Sequence, residues 1–139
     1  MRTLPLSEGR IRRIARTVWE DEGGGAAQIS IAVVGDRRMA KFTQRYTGRR
    51  YRTDVLAFDL TDPTDREQIG QIIVNCPLAR ERAAALNVGA SAELALYLVH
   101  GLLHLTGWND RRATEAHRMH RRSLRYLREL GFETTLLKV

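Results

Sequence analysis

Behind Ser7, the apolar residues Ile11, Ile14, Ala15, Val18 and Trp19 recur at helical intervals, and Gly23-Gly24-Gly25 breaks the run. The spacing gathers them on one face and predicts an amphipathic helix. The period then changes from Gln28 to Val34, where Ile29, Ile31 and Val33 alternate with smaller or polar residues. This predicts a strand, and Ala32 and Val34 make its other side partly apolar. A second helix is expected after an Asp36 cap, with Met39, Phe42 and Tyr46 inward, Arg and Lys outward, and Gly48 at its end. Asp54–Phe58 and Ile69–Val74 read as two more strands across a polar loop of hairpin length around Asp62-Pro63-Thr64-Asp65. That loop has room for a short extra strand near Leu60. Pro77 to Leu86 offers a helix with proline at its start, where the missing N–H costs little.

An apolar helix follows, with Ser91 as its N-cap, Glu93 in its first turn and Gly107 as its stop. Ala116, Met119, Ser123, Leu127 and Leu130 mark a last amphipathic helix that ends at Gly131. The order α-β-α-β-β-α-α-α predicts a single α+β domain over residues 1–139, a small mixed sheet with surrounding helices. No repeat interrupts it. At 139 residues the chain can bury a core without disulfides, and the lone Cys76 is read as core filling. The apolar run from Leu94 to Leu105 is too short for a bilayer span of about 20 residues. The first residues lack the apolar stretch of a signal peptide. A soluble, cytoplasmic protein that makes no use of a membrane is the expectation.

Charge narrows the choice of partner. The net charge of +7 favours a polyanion. Arg37, Arg38, Lys41, Arg45, Arg49, Arg50 and Arg52 form a tract without acids, interleaved with Phe42, Tyr46 and Tyr51. A second cluster runs from Arg111 to Arg128, with Glu115 among its arginines. Arginine can fork onto phosphate oxygens and stack on bases, which suits RNA. A solvated basic helix face is the plainer alternative for either cluster.

The candidate chemistry lies in His100-Gly-Leu-Leu-His104-Leu-Thr-Gly107-Trp108-Asn-Asp110. Helical residues four apart have Cβ atoms about 5–6 Å from each other, so both imidazoles can reach one ion at about 2.0–2.1 Å. After the glycine turn Asp110 can return as a third ligand, leaving a fourth position for water, as catalytic zinc sites do. Two histidines on an apolar helix also occur as packing residues, but buried imidazoles would then need other partners. His117 and His120, on the next helix, are further candidates; of these, His120 falls nearer the inward face.

These residues carry a family resemblance. His100-Gly-Leu-Leu-His104-Leu-Thr-Gly107-Trp108, Tyr46-Thr-Gly48 leading to Thr53-Asp54-Val55-Leu56-Ala57-Phe58, and the strand Gly70-Gln-Ile-Ile-Val occur in the order seen in YbeY-type bacterial ribosomal-RNA maturation factors. The chain resembles that family of metal-dependent, single-strand endoribonucleases from about Ile29 to Gly131. The resemblance implies an α+β fold with a zinc hydrolase-like metal-binding helix, and one divalent ion per chain, zinc or alternatively manganese. It implies work in rRNA maturation and ribosome quality control, with single-stranded RNA or rRNA and the ribosome or its proteins as partners. His100, His104 and Asp110 fall on the ligand register, with a metal-bound water as the attacking group. The family has a third His where Asp110 stands, Arg at Thr47 and Asp at Gln71. Arg45, Arg49, Arg50 and Arg52 are therefore candidates for the missing guanidinium and for RNA contact.

Two other classes compete. Zinc peptidases share the His-x-x-x-His spacing but place a glutamate base directly after the first His, where this chain has Gly101. A non-catalytic ribosome- or RNA-binding factor with a weakened metal site would fit Thr47 and Asp110.

Overall fold

The structure is a computed structural model and describes residues 3–134. Its elements are α1 (Glu8–Asp21), β1 (Ala27–Val34), α2 (Asp36–Thr47), β2 (Val55–Asp59), β3 (Gln68–Asn75), α3 (Cys76–Leu86), α4 (Ala90–Leu105) and α5 (Ala113–Glu129). The order is the expected one. The sheet runs β1-β3-β2, with β1 parallel and β2 antiparallel to β3. No separate strand forms among the described residues of the 60s loop. There the Leu60 N–H donates to the Ile69 carbonyl at 2.7 Å and the Ile69 N–H to Thr61 Oγ1 at 2.8 Å, prolonging the hairpin edge.

Alternation along the strands divides the core in two. Ile29, Ile31 and Val33 of β1, Val55 and Ala57 of β2, and Ile72 and Val74 of β3 face the larger cluster, shared with α1, α4 and α5. Ala32, Val34, Leu56, Phe58 and Ile73 face the other side, against Met39 and Phe42 of α2. α4 is the central helix: Leu94, Leu98, Leu102 and Leu103 are buried, and it packs on α1, α3, α5 and the sheet. Its approach to the sheet is close. A Cβ on Gly101 would lie 2.8 Å from Ile72 Cγ2, so the position holds only glycine without a shift. No described helix is long and apolar enough to cross a membrane.

The helix starts depart from the sequence reading in three places. Ser7 caps α1 as expected, accepting from the Arg10 N–H at 3.2 Å. Asp36 does not cap α2: Gly35 holds the N-cap position, because the Asp36 carboxylate is taken by Arg52 Nε at 2.9 Å and Asn75 Nδ2 at 3.0 Å. Ser91 does not cap α4 either: the helix begins at Ala90 with Gly89 as its N-cap, two residues ahead of the expected cap. Asn75 is the unforeseen cap, its Oδ1 accepting from the Leu78 N–H at 3.1 Å at the start of α3. Tyr46 is 44% exposed and not inward, while Thr43 joins the expected Met39 as a residue that α2 buries. The Thr43 hydroxyl can enter the core because it donates to the Met39 carbonyl at 2.9 Å. Cys76 is buried and free, consistent with core filling.

Candidate metal centre

Glu93, Tyr97, His100 and His104 are spaced four, three and four residues apart on α4, which places them on one face of an otherwise aliphatic helix. α3 and the head of β2 supply what meets this stripe. Arg82 Nη1 donates to Asp54 Oδ2 at 3.2 Å and to the Tyr97 hydroxyl at 3.4 Å. The second Asp54 oxygen accepts from the Val55 N–H at 2.8 Å. Glu93 is only 4% exposed. Burial raises its carboxyl above the usual range, against a hydrogen bond from Tyr97 and the charge of Arg82.

Farther along the stripe, His100 is held neutral. Burial is the main cause, with His120 and His104 adding to it against Asp54 and Asp110, and its pKa is pushed down to about 4. Its Nε2 is buried without a hydrogen-bond partner. Neutral imidazole is the ligating form, and an orphaned buried nitrogen is the kind of atom that a cation satisfies. One turn on, α4 ends at Thr106, and Gly107 at φ +106° reverses the chain, a conformation that suits glycine. The reversal returns Asp110 to the helix end, its Oδ2 3.7 Å from His104 Nε2. Two ligands on one tetrahedral ion at about 2.0–2.1 Å stand roughly 3.3 Å apart, so this pair is spaced as co-ligands and not as hydrogen-bond partners. α5 brings the His120 ring to 5.9 Å from that of His100, centroid to centroid, whereas His117 is exposed. Among the described residues no three His, Cys, Asp or Glu side chains already converge as a set for one ion. The donor chemistry fits a divalent metal, with His104 and Asp110 juxtaposed and His100 beside them.

The turn that carries Asp110 is fastened by a residue the sequence reading did not single out. Glu22, the C-cap of α1, is 6% exposed at its side chain. It accepts from Trp108 Nε1 at 2.8 Å and Arg122 Nε at 2.9 Å, and from the Tyr126 hydroxyl. Burial alone would raise this carboxyl, but the bonds from Tyr126, Trp108 and Arg122 together outweigh it and hold it below the usual range. One carboxylate thus ties α1, the α4–α5 turn and α5 into a single frame. The Tyr126 oxygen also lies 2.6 Å from Asp21 Oδ2, so its one proton is shared between the two carboxylates.

The arginines proposed for RNA contact sit elsewhere. Arg45 lies on α2, across the sheet from α4, 5.6 Å from the ring centre of the exposed Tyr46. The segment after α2 folds back over that helix, with Arg50 Nε donating to Gln44 at 3.2 Å. Arg52 is bound by Asp36 and Glu81, and Arg49 is exposed. Among the described residues, no hydrogen bond or ion pair joins any of these four to His104 or Asp110.

Comparison with known proteins places this geometry. A family model described as Endoribonuclease YbeY matches residues 4–131. An Endoribonuclease YbeY from Anaeromyxobacter sp. (strain Fw109-5) is 35% identical over 130 residues, covering 93% of this chain and 68% of that protein. Its namesake from Chlorobium phaeovibrioides is 32% identical over 126 residues, covering 91% and 84%. The solution structure of TM1509 from Thermotoga maritima aligns with a TM-score of 0.62 at 19% identity, over 94% of this chain and 87% of that one, and so shares the fold. Since the family match spans both the sheet and the turn joining His100, His104 and Asp110, the chain belongs to the endoribonuclease YbeY family.

Proposed function

We propose that the chain is a metal-dependent endoribonuclease that cleaves single-stranded ribosomal RNA in the cytoplasm, in ribosome maturation and quality control. The observation that carries this reading is the pairing of His104 with Asp110 at 3.7 Å beside the buried, neutral His100. His100, His104 and Asp110 would hold the ion, zinc first and manganese second, with His120 next in reach. A divalent ion there supplies Lewis acidity toward a phosphoryl oxygen and an acidified water.

The chain's own groups do the rest. His100 stays unprotonated at physiological pH, so no proton competes for its nitrogen. Asp110 brings a hard anionic oxygen, which suits manganese as well as zinc. Asp54 and Asp110 lend negative charge to a site that must accept a cation. Gly101, pressed against the sheet, leaves no room for the glutamate base of a zinc peptidase, which weighs against peptide hydrolysis. Membership in an endoribonuclease family favours catalysis over a purely binding role. Arg45, Arg49 and Arg50 are assigned to RNA or ribosome contacts outside the cleavage centre, with Arg52 fastening their segment to α2 and α3.

Single-turnover cleavage of matched single- and double-stranded RNAs tests the reading. Wild-type protein should cut the single strand in preference, and His104→Ala should lose at least about 100-fold, since even groups that only support metal ligands are worth 10–100-fold. Cleavage by His104→Ala at the wild-type rate would contradict it.

A further inference from the structure

The outer face of α5 forms a groove of about 430 Å³ lined by Trp108, Arg118, Arg121, Arg122, Arg125 and Arg128, among others. A smaller depression of about 260 Å³, lined by Gly107, Trp108, Asn109, Glu115 and Arg118, adjoins it through Trp108 and Arg118. Together they lead from the turn next to Asp110 along the helix. The arginines divide into two kinds. Arg122 and Arg125 are paired with Glu22 and Asp21 and form a fixed wall. Arg118, Arg121 and Arg128 are exposed and form no ion pair among the described residues.

Arg118, Arg121, Arg125 and Arg128 follow one another at intervals of three, four and three, so they line one face over about 15 Å of helix. Trp108 adds an aromatic surface whose indole N–H is pinned by Glu22, with the Arg122 guanidinium 5.6 Å from its ring centre. Uncommitted guanidinium groups beside a fixed aromatic ring make a stacking platform with an electrostatic track, the combination that holds single-stranded nucleic acid.

We propose that this α5 groove carries the phosphate backbone of the single-stranded RNA as it enters or leaves the candidate metal centre. The assignment rests on the endoribonuclease reading for the identity of its ligand. It goes beyond that reading in selecting α5, on the same side of the sheet as His100 and His104, over the α2 tract on the other side. The free charges on α5 are adjacent to the catalytic turn, whereas Arg50 and Arg52 are held to their own side of the fold.

The test uses the full chain with the cleavage-blocking His104→Ala change and a fluorescently labelled single strand of about 12 nucleotides, within the size range of one binding surface. Affinity is read by anisotropy over a series of salt concentrations. Adding Arg118→Gln, Arg121→Gln and Arg128→Gln should weaken binding by about 10- to 100-fold at low salt. The slope of log affinity against log salt should become shallower by about 2, given about 0.7 per phosphate contact on single strands. A charge-matched control, Arg45→Gln, Arg49→Gln and Arg50→Gln, should lose clearly less. Should the triple variant fail to fold, Arg121→Gln alone should lower the slope by about 0.7.

Unchanged affinity and slope in the α5 variant would overturn the proposal, as would an equal loss in the α2 control. Loss of binding to an acidic protein with RNA affinity intact would assign the groove to that partner instead. RNA binding is read here independently of cleavage, so inactive wild-type protein would defeat the endoribonuclease reading while this result still decides the groove.

Discussion

Glu22 does most at the scale of single residues, because one carboxylate at the end of α1 meets three donors, one from the α4–α5 turn and two from α5. Hydrogen bonds to a charged group contribute about 1.5–3 kcal/mol, so Glu22→Gln should cost about 1–3 kcal/mol at pH 7 by urea unfolding. The folded carboxyl lies below its unfolded value of about 4.3. Its contribution is therefore fully present above that pH and is lost as pH falls through the folded value. The gap between wild type and Glu22→Gln should narrow below about pH 4; a gap constant from pH 7 to pH 3 would count against the charged network. Nothing in the local sequence marks Glu22, because its partners lie 86 to 104 positions away. His100 and His104, by contrast, were legible, because helical spacing alone aligns them. Glu93 and Tyr97 share that spacing, so the whole polar stripe of α4 is legible by the same helical periodicity.

Among the elements, α4 is constrained most by its contact with the sheet. Alanine normally favours a helix interior over glycine by about 0.8–1.0 kcal/mol. At Gly101 the added methyl would meet Ile72 Cγ2 at 2.8 Å and Val55 Cγ2 at 3.3 Å, and overpacking of this kind costs about 1–3 kcal/mol. Gly101→Ala should therefore lower the thermal midpoint despite its better helix propensity; a raised midpoint would show that the sheet yields. Periodicity made α1, β1, α2 and α5 readable, whereas α3 and α4, apolar on most sides, were read from their end signals and helix-forming residues. The caps were less readable, because Asp36 and Asn75 are placed by partners from other segments. The α2 tract misled in a related way: sequence shows seven basic residues together, but not that Arg52 is consumed by Asp36 and Glu81.

For the molecule as a whole, the sheet separates two basic surfaces, and only one adjoins the α4–α5 turn. That turn is the junction at which the candidate ligands meet. α4 presents His100 and His104, Gly107 reverses the chain, the Glu22 frame fixes Trp108, and Asp110 arrives opposite His104. His100, His104 and Asp110 are proposed to form one metal centre, with Asp110 as a true ligand. Elemental analysis after dialysis against a limiting divalent ion tests it most directly, comparing wild type with Asp110→Ala. Wild type should hold close to one ion per chain and Asp110→Ala clearly less, at unchanged thermal stability of the metal-free protein. Equal metal content in the two would contradict it and move the third ligand elsewhere, with His120 the first residue to exchange.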